Sequence, residues 1–257
     1  MHIYIYDSFV NQKKYDATAA RIETRITDLG LNGKIVRLGL MNSIDEVIRN
    51  EMKKGAKTII VVGNNDIFNK AINAIARTTQ EITLARRVPL GFIPVGKANN
   101  GIASSFGIGH EEAACNIISA RRIKKFDLGL ANDYYFLTEA SIPTAGTSLE
   151  IDQNYILQIQ EPGNIKIINF AINTKLPDNF STSAQDGSLD LFIEGHNKKK
   201  FFSKDKASQT IIPFKFITIL NQNRPVTIDQ NTHLTTPVNI QIAKQKIEII
   251  VGKNLDI

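Results

Sequence analysis

The sequence predicts an α/β domain followed by a β domain. Residues 1–123 are expected to form an open, mostly parallel α/β sheet, and residues 124–257 an antiparallel, sandwich-like β domain. In the first part, apolar segments with strand and helix periods alternate. Residues 57–63 contain the unbroken apolar run 59–62, as expected for a strand covered on both faces. From about residue 124, short apolar segments are separated by turn residues, without a long helical pattern.

The first domain is predicted to alternate strands with helices. Its strands should cover residues 2–6, 34–39, 57–63 and 90–94, and its helices residues 14–29, 44–54, 67–77, 98–105 and 111–120. Gly30 and Gly55 are placed to end two helices. Ser43 and Glu46 have the spacing of a capping box, in which each side chain accepts a backbone N–H of the first turn.

Composition narrows the class of protein. The single Cys115 cannot form an internal disulfide, and the first residues lack a secretory pattern, so we expect a cytoplasmic protein. No apolar run approaches the roughly 20 residues that span a bilayer. Any contact with the inner face of the membrane is therefore expected to be peripheral.

The chain is basic, with a net charge of +6 and basic runs at residues 121–125 and 198–200. Such a surface fits a nucleotide or an anionic lipid headgroup, and a solvated basic face is the plain alternative. Nucleic acid is not expected, because aromatics do not interleave the basic runs and no reader motif is present. The sequence does not decide whether the chain also forms a homodimer.

The turn after the strand at 57–63 predicts an anion site. Gly63, Asn64, Asn65 and Asp66 follow a buried strand and open a helix, whose first N–H groups attract negative charge. In open α/β sheets, ligands bind at this end of the strands. The alternative is that Asp66 only caps the helix and the asparagines tolerate a tight turn.

A second turn follows the strand at 90–94. Here Gly96 permits close backbone approach, Lys97 supplies a mobile cation, and Asn99 and Asn100 supply donors and acceptors. A P-loop is not predicted, although the spacing is close, because Ala98 has no hydroxyl for Mg²⁺. The alternative is a loop with a surface lysine. The four histidines lack metal-ligand spacing.

These motifs resemble those of the diacylglycerol kinase catalytic-domain family. Residues 61–70 resemble its strand, G-G-D-G-T and helix, and residues 94–103 resemble P-x-G-T-x-N-D-x-A. Residues 186–190 resemble D-G-x-L-D, and residues 228–231 resemble the D-G-E segment. The family's N-terminal N-P-x-S-G is absent, and residues 6–9 stand in that region.

The resemblance implies ATP or another nucleotide and Mg²⁺ as cofactors, with Asp186 as a metal ligand. A hairpin turn is the alternative for Asp186. At three family carboxylate positions this chain has Asn65, Asn100 and Asn231, the last replacing the expected general base. An amide cannot take a proton near neutral pH and is a poorer Mg²⁺ ligand.

The sequence therefore favours a nucleotide- or lipid-phosphate-binding protein with weak or lost kinase activity. The alternative is an active ATP-dependent lipid or small-molecule kinase whose rebuilt site uses Asp66 or Asp229. A purely structural or protein-interaction role is the third alternative. The residues expected to hold the nucleotide are Gly63, Asn64, Asn65, Asp66, Gly96, Lys97, Asn99 and Asn100.

Overall fold

A computed structural model describes residues 1–39, 42–81, 87–96, 100–172, 174–177, 180–195 and 209–253. The chain divides into two compact units. Unit 1 comprises Met1–Phe126 with Gln245–Ile257, and unit 2 comprises Asp127–Lys244. This differs from the predicted boundary, which gave all of 124–257 to the second domain.

The described part of unit 1 alternates strands and helices as predicted. Its strands are β1 (His2–Tyr6), β2 (Gly33–Arg37), β3 (Thr58–Gly63) and β4 (Leu90–Pro94), and its helices are α1 (Asp16–Asp28), α2 (Ile44–Lys53), α3 (Asn65–Glu81), α4 (Gly101–Ser105) and α5 (Glu112–Ala120). Two 3-10 turns, Ser8–Asn11 and Lys13–Tyr15, follow β1. The end of the last strand, β16 (Val238–Ile250), returns to this sheet, where Ile249 pairs in parallel with Leu90.

Local chemistry explains where these elements begin and end. Every residue of β3 is buried, in agreement with its unbroken apolar run. Gly30 and Gly55 have φ values of 65° and 83°, a left-handed conformation that favours glycine after a helix. Ser43 does precede α2, but its side chain makes no capping hydrogen bond, so the predicted capping box is wrong.

The strand order of unit 1 places its candidate site. The parallel strands lie in the order β2-β1-β3-β4. The chain leaves β1 towards one side for β2 and then crosses to the other side for β3. The strand order therefore reverses between β1 and β3, and in open α/β sheets ligands bind beside the carboxyl ends of the strands at such a point.

Unit 2 is built almost entirely of antiparallel strands. These are the last part of β5 (Ile123–Ala131), β6 (Tyr134–Phe136), β7 (Glu139–Pro143), β8 (Ser148–Ile151), β9 (Tyr155–Gln158), β10 (Gly163–Ile168), β11 (Leu189–Gly195), β12 (Gln209–Phe214), β13 (Phe216–Leu220), β14 (Val226–Ile228), β15 (Thr232–Leu234) and the first part of β16. One sheet has the order β12-β11-β10-β7-β14-β15, and in a second sheet β16 is followed by β13, β8 and β9.

A continuous apolar core joins the two sheets of unit 2. Leu149, Ile217 and Ile240 come from one sheet, and Ile165 and Leu191 from the other, and all five are fully buried in one cluster. The predicted sandwich-like β domain is thus confirmed. Within the parts of the chain that the structure describes, no helix is both long and apolar enough to cross a bilayer.

Candidate functional site

The carboxyl ends of β1, β3 and β4 lie side by side. Gly63 pairs with Pro94 across β3 and β4, and the Val95 N–H donates to the Gly63 carbonyl at 2.7 Å. On the other side, the Asp7 N–H donates to the Val62 carbonyl at 2.9 Å. The segments that leave all three strands therefore begin at one edge of the sheet.

The first turn is closed by its own asparagine. The Asn64 side-chain oxygen Oδ1 accepts the backbone N–H of Asp66 at 3.0 Å and that of Ile67 at 3.4 Å. Asn64 is therefore the N-terminal cap of α3, and the alternative that Asp66 caps this helix is wrong. Two of the first-turn N–H groups that could face an anion already have an acceptor within the protein.

The predicted ligand residues of this turn lie at the start of α3. Asn65 is its first residue and is buried, and Asp66 is half-buried in the first turn. The helix begins two residues earlier than predicted, because the Asn64 cap satisfies the N–H groups there. The roles of Gly63, Asn64, Asn65 and Asp66 in binding stay predictions.

The second turn is shaped by a glycine and an amide. Gly96 has a φ of 82°, and the Asn100 side-chain amide Nδ2 donates to the Gly96 carbonyl at 2.7 Å. Asn100 is buried, and its Oδ1 accepts no hydrogen bond from any residue that the structure describes. Lys97 and Asn99, two of the predicted ligand residues, lie outside the described residues. The helix α4 begins at Gly101 rather than at residue 98.

The segment after β1 brings further polar groups to this edge. The half-buried Asp7 lies against Gly63, so that a Cβ added to Gly63 would lie 3.0 Å from the Asp7 Cβ. The Tyr15 hydroxyl lies beside Gly96, 3.5 Å from where a Cβ would be. Lys14 places its ammonium 4.9 Å from the centre of the Tyr15 ring. Unit 1 thus presents a carboxylate, a phenol and a cation next to the two turns.

Sequence reasoning missed Asp7, Lys14 and Tyr15 as candidate site residues. Asp7 directly precedes one short 3-10 turn, and Lys14 and Tyr15 lie in the next, and no phosphate-binding motif marks either turn. The signal that identifies them is the strand order, which puts the end of β1 beside the end of β3. That order depends on pairing between distant segments and was not predicted.

In unit 2, the carboxylate of Asp229 is buried and accepts four hydrogen bonds. Its Oδ1 accepts three hydrogen bonds, from the Thr138 N–H at 2.9 Å, the Glu139 N–H at 3.3 Å and the Thr138 hydroxyl at 2.5 Å. Its Oδ2 accepts the Leu137 N–H at 3.2 Å. Burial raises the pKa of the Asp229 carboxyl, while these hydrogen bonds oppose that shift. Backbone N–H groups only donate, so both oxygens of Asp229 act as acceptors here.

This environment favours a structural role for Asp229. With both oxygens occupied by backbone donors, it fastens the start of β7 to the turn after β14. The structure therefore argues against Asp229 as the carboxylate of a rebuilt catalytic site. Asn231 is exposed in the same turn, where its N–H donates to the Ile228 carbonyl at 3.1 Å.

The predicted metal ligand Asp186 lies in a tight turn. Its Oδ1 accepts the backbone N–H of Ser188 at 2.9 Å and the Ser188 hydroxyl at 2.8 Å. The Gly187 N–H donates to the Asp127 carboxylate at 2.9 Å. Burial and the nearby Asp186 charge both raise the pKa of the Asp190 carboxyl. Acidic groups thus face one another here, which suits a cation.

Side chains alone do not complete a metal site at Asp186. Among the described residues, no group of three or more histidine, cysteine, aspartate or glutamate side chains is arranged to hold a metal ion. A cation bound by Asp186 would therefore depend on backbone carbonyls and water for its other ligands.

The fold and these motifs define a lipid-kinase-like protein, and the comparisons give its family. Residues 3–131 match the diacylglycerol kinase catalytic domain, and the chain belongs to that family. A Staphylococcus carnosus (strain TM300) protein, named "Putative lipid kinase", is 25% identical over 253 residues, with 80% of each chain covered.

Solved structures agree with this assignment at the level of fold. The crystal structure of a diacylglycerol kinase from Bacillus anthracis str. Sterne is 17% identical and superposes with a TM-score of 0.74, covering 98% of this chain and 97% of that one. The predicted family resemblance and the predicted fold class are both confirmed.

Proposed function

We propose that this protein binds a nucleotide at the carboxyl edge of the unit 1 sheet and has weak or lost lipid kinase activity. Membership of the diacylglycerol kinase family supports a nucleotide, a lipid and a divalent cation as the classes of ligand. The amides at positions 65, 100 and 231 support the loss of activity, because phosphoryl transfer depends on metal neutralisation and on positioning of the nucleophile.

The observation that carries this proposal is the environment of Asp229. It is the carboxylate that survives in the D-G-E-like segment, and four donors within the protein occupy its two oxygens. The residue two positions on, where the family's general base is expected, is the amide Asn231. Loss of a general base lowers a rate by about 10²–10⁴-fold.

Nucleotide binding is proposed at Gly63, Asn65, Asp66, Gly96 and Asn100 and at the backbone of Asn64, with Lys97 and Asn99 as further contacts. The Asn64 cap supports weak rather than tight binding, because a phosphate has to displace its Oδ1 from two N–H groups. We further propose that Mg²⁺ binds at Asp186, because acidic side chains lie close together there and a divalent cation would offset their repulsion.

One observation favours the alternative of an active kinase with a rebuilt site. The half-buried carboxylate of Asp7 lies at the end of β1, beside Gly63. A carboxylate at that position could take over metal placement from the position now held by Asn65. The acceptor in that case would be a lipid or small-molecule hydroxyl.

A cytoplasmic location with peripheral contact to anionic membrane is also a proposal. The net charge of +6 and the exposed basic run at residues 121–125 support an anionic surface as partner. The basic run at 198–200 lies outside the described residues. Sedimentation with phosphatidylglycerol vesicles, compared with phosphatidylcholine vesicles, tests this contact.

A thermal-shift measurement with ATP, ADP and GTP, each with and without Mg²⁺, tests the proposed function. We expect a nucleotide to raise the melting temperature, because a ligand that binds the folded state stabilises it by mass action. If no nucleotide shifts the melting temperature under either condition, nucleotide binding is refuted.

A further inference from the structure

Asp7 occupies the point where the strand order of unit 1 reverses. It follows β1 directly, and its backbone is fixed on both sides. The Asp7 N–H donates to the Val62 carbonyl of β3 at 2.9 Å, and the Asp7 carbonyl accepts the Val10 N–H at 3.0 Å. The position of its side chain is therefore set by β3 and by the 3-10 turn, rather than by a loose loop.

The carboxylate packs on the turn that opens α3. A Cβ added to Gly63 would lie 3.0 Å from the Asp7 Cβ and 3.5 Å from Oδ2, so Gly63 allows this close approach. The next residue is Asn64, whose side chain caps α3. Asp7 thus brings a negative charge to the entrance of the proposed phosphate site.

One oxygen of this carboxylate is available to a ligand. Oδ1 accepts the Ser8 hydroxyl at 3.2 Å. Within the described residues, Oδ2 accepts no hydrogen bond and Asp7 forms no ion pair. Two other carboxylates show the contrast, since Glu51 pairs with Lys34 at 2.7 Å and Asp229 accepts four hydrogen bonds.

We propose that Asp7 is a cation-binding residue, whose Oδ2 ligates a divalent cation that bridges to nucleotide phosphate at the Gly63–Asn64 turn. The inference rests on the proposed nucleotide binding. A carboxylate and a phosphate held side by side repel each other, and a divalent cation between them converts the repulsion into two attractive contacts. Mg²⁺ commonly takes one or two carboxylates, phosphate oxygens and water as its ligands.

The consequence is that nucleotide binding depends on the divalent cation through Asp7. Without the cation, the Asp7 charge opposes the phosphates, and with it the same charge strengthens binding. Replacing Asp7 by asparagine removes both effects at once. The affinity should therefore rise in the absence of Mg²⁺ and fall in its presence.

The test measures binding of adenylyl imidodiphosphate by calorimetry, once with Mg²⁺ and once with EDTA. For the unmodified protein we expect binding about tenfold tighter or more with Mg²⁺. In Asp7→Asn this ratio should fall to about threefold or less, with tighter binding in EDTA. Asp28→Asn is the matched control, because it removes the same charge from the exposed end of α1, before β2 begins.

Asp7→Glu separates a ligand role from a structural one. It keeps the charge, so it should recover part of the Mg²⁺ dependence that Asp7→Asn loses. Equal loss in both variants would overturn the inference, and so would an unchanged ratio in Asp7→Asn while the parent protein still binds nucleotide. Failure of the parent protein to bind under either condition would instead refute the proposed function, and the inference with it.

Discussion

Replacing Asn64 by glycine should open the phosphate site at the start of α3. The Asn64 Oδ1 now accepts the N–H groups of Asp66 and Ile67 at 3.0 and 3.4 Å. A bound phosphate has to displace this oxygen, and loss of an N-terminal cap costs about 1 kcal/mol. Since 1.4 kcal/mol is a factor of ten, the cap should weaken nucleotide binding about fivefold.

Asn64→Gly should therefore lower the dissociation constant for ATP with Mg²⁺ about fivefold, measured by calorimetry. Glycine is itself an adequate cap, so the free energy of unfolding should fall by only a few tenths of a kcal/mol. Asn64→Ala removes the same acceptor but leaves a poor cap, and should cost about 1 kcal/mol in urea unfolding.

Ser43→Ala is the matched control for the cap. Ser43 precedes α2 at the equivalent position, yet its side chain makes no capping hydrogen bond. Its replacement should change the free energy of unfolding by less than about 0.5 kcal/mol. Competition between the Asn64 side chain and a bound phosphate is refuted if Ser43→Ala costs as much as Asn64→Ala, or if Asn64→Gly leaves nucleotide affinity unchanged.

Three further predictions concern stability. Asp229→Ala should lower the free energy of unfolding by about 3–5 kcal/mol in urea titration, because buried donors lose their acceptor, and a change below about 1 kcal/mol would contradict the structural role. Asn100→Asp should cost about 1–3 kcal/mol by the same assay, since the donation to the Gly96 carbonyl is lost, whereas unchanged stability would show that this bond is dispensable. The hydrogen bond from Lys34 holds the pKa of the Glu51 carboxyl below its usual value near 4.5. The stabilisation that this hydrogen bond gives the folded state is therefore present at pH values above the usual pKa. It is lost as the pH falls through the lower pKa of Glu51 in the folded state. Glu51→Gln should therefore be less stable than the parent at pH 7, and the difference should shrink on acidification. A difference that stays constant from pH 7 to pH 3 would contradict this assignment.

Most of the fold follows from local sequence pattern. The apolar run after Lys57 is β3, and the predicted limits of β4 agree with the structure residue for residue. What local pattern could not give is pairing between distant segments. The strand β16 extends from Val238 to Ile250, and Ile249 near its end pairs with Leu90 of β4. Apolar and polar residues alternate there as in the preceding β strands, so the sequence did not distinguish this end of β16.

The candidate site was predictable only where a motif marks it. The turn at Gly63–Asp66 was located from the sequence, yet the choice of Asn64 rather than Asp66 as the cap required the side-chain geometry. Asp7 carries no motif, and its importance arises from the strand order that sets β1 beside β3. Asp229 has the right residue type for catalysis, but its four hydrogen bonds depend on residues about ninety positions away in the sequence.

The proposed loss of activity is tested directly by the protein's own lipid kinase turnover. The purified, unmodified protein would be incubated with radiolabelled ATP, Mg²⁺ and vesicles containing diacylglycerol, and labelled phosphatidic acid would be quantified at several protein concentrations. We expect no product above the protein-free background. Asn65, Asn100 and Asn231 stand in place of carboxylates, and hydrogen bonds within the protein occupy both oxygens of Asp229. Product that rises in proportion to protein concentration would contradict the expected absence of turnover and favour the rebuilt-site kinase.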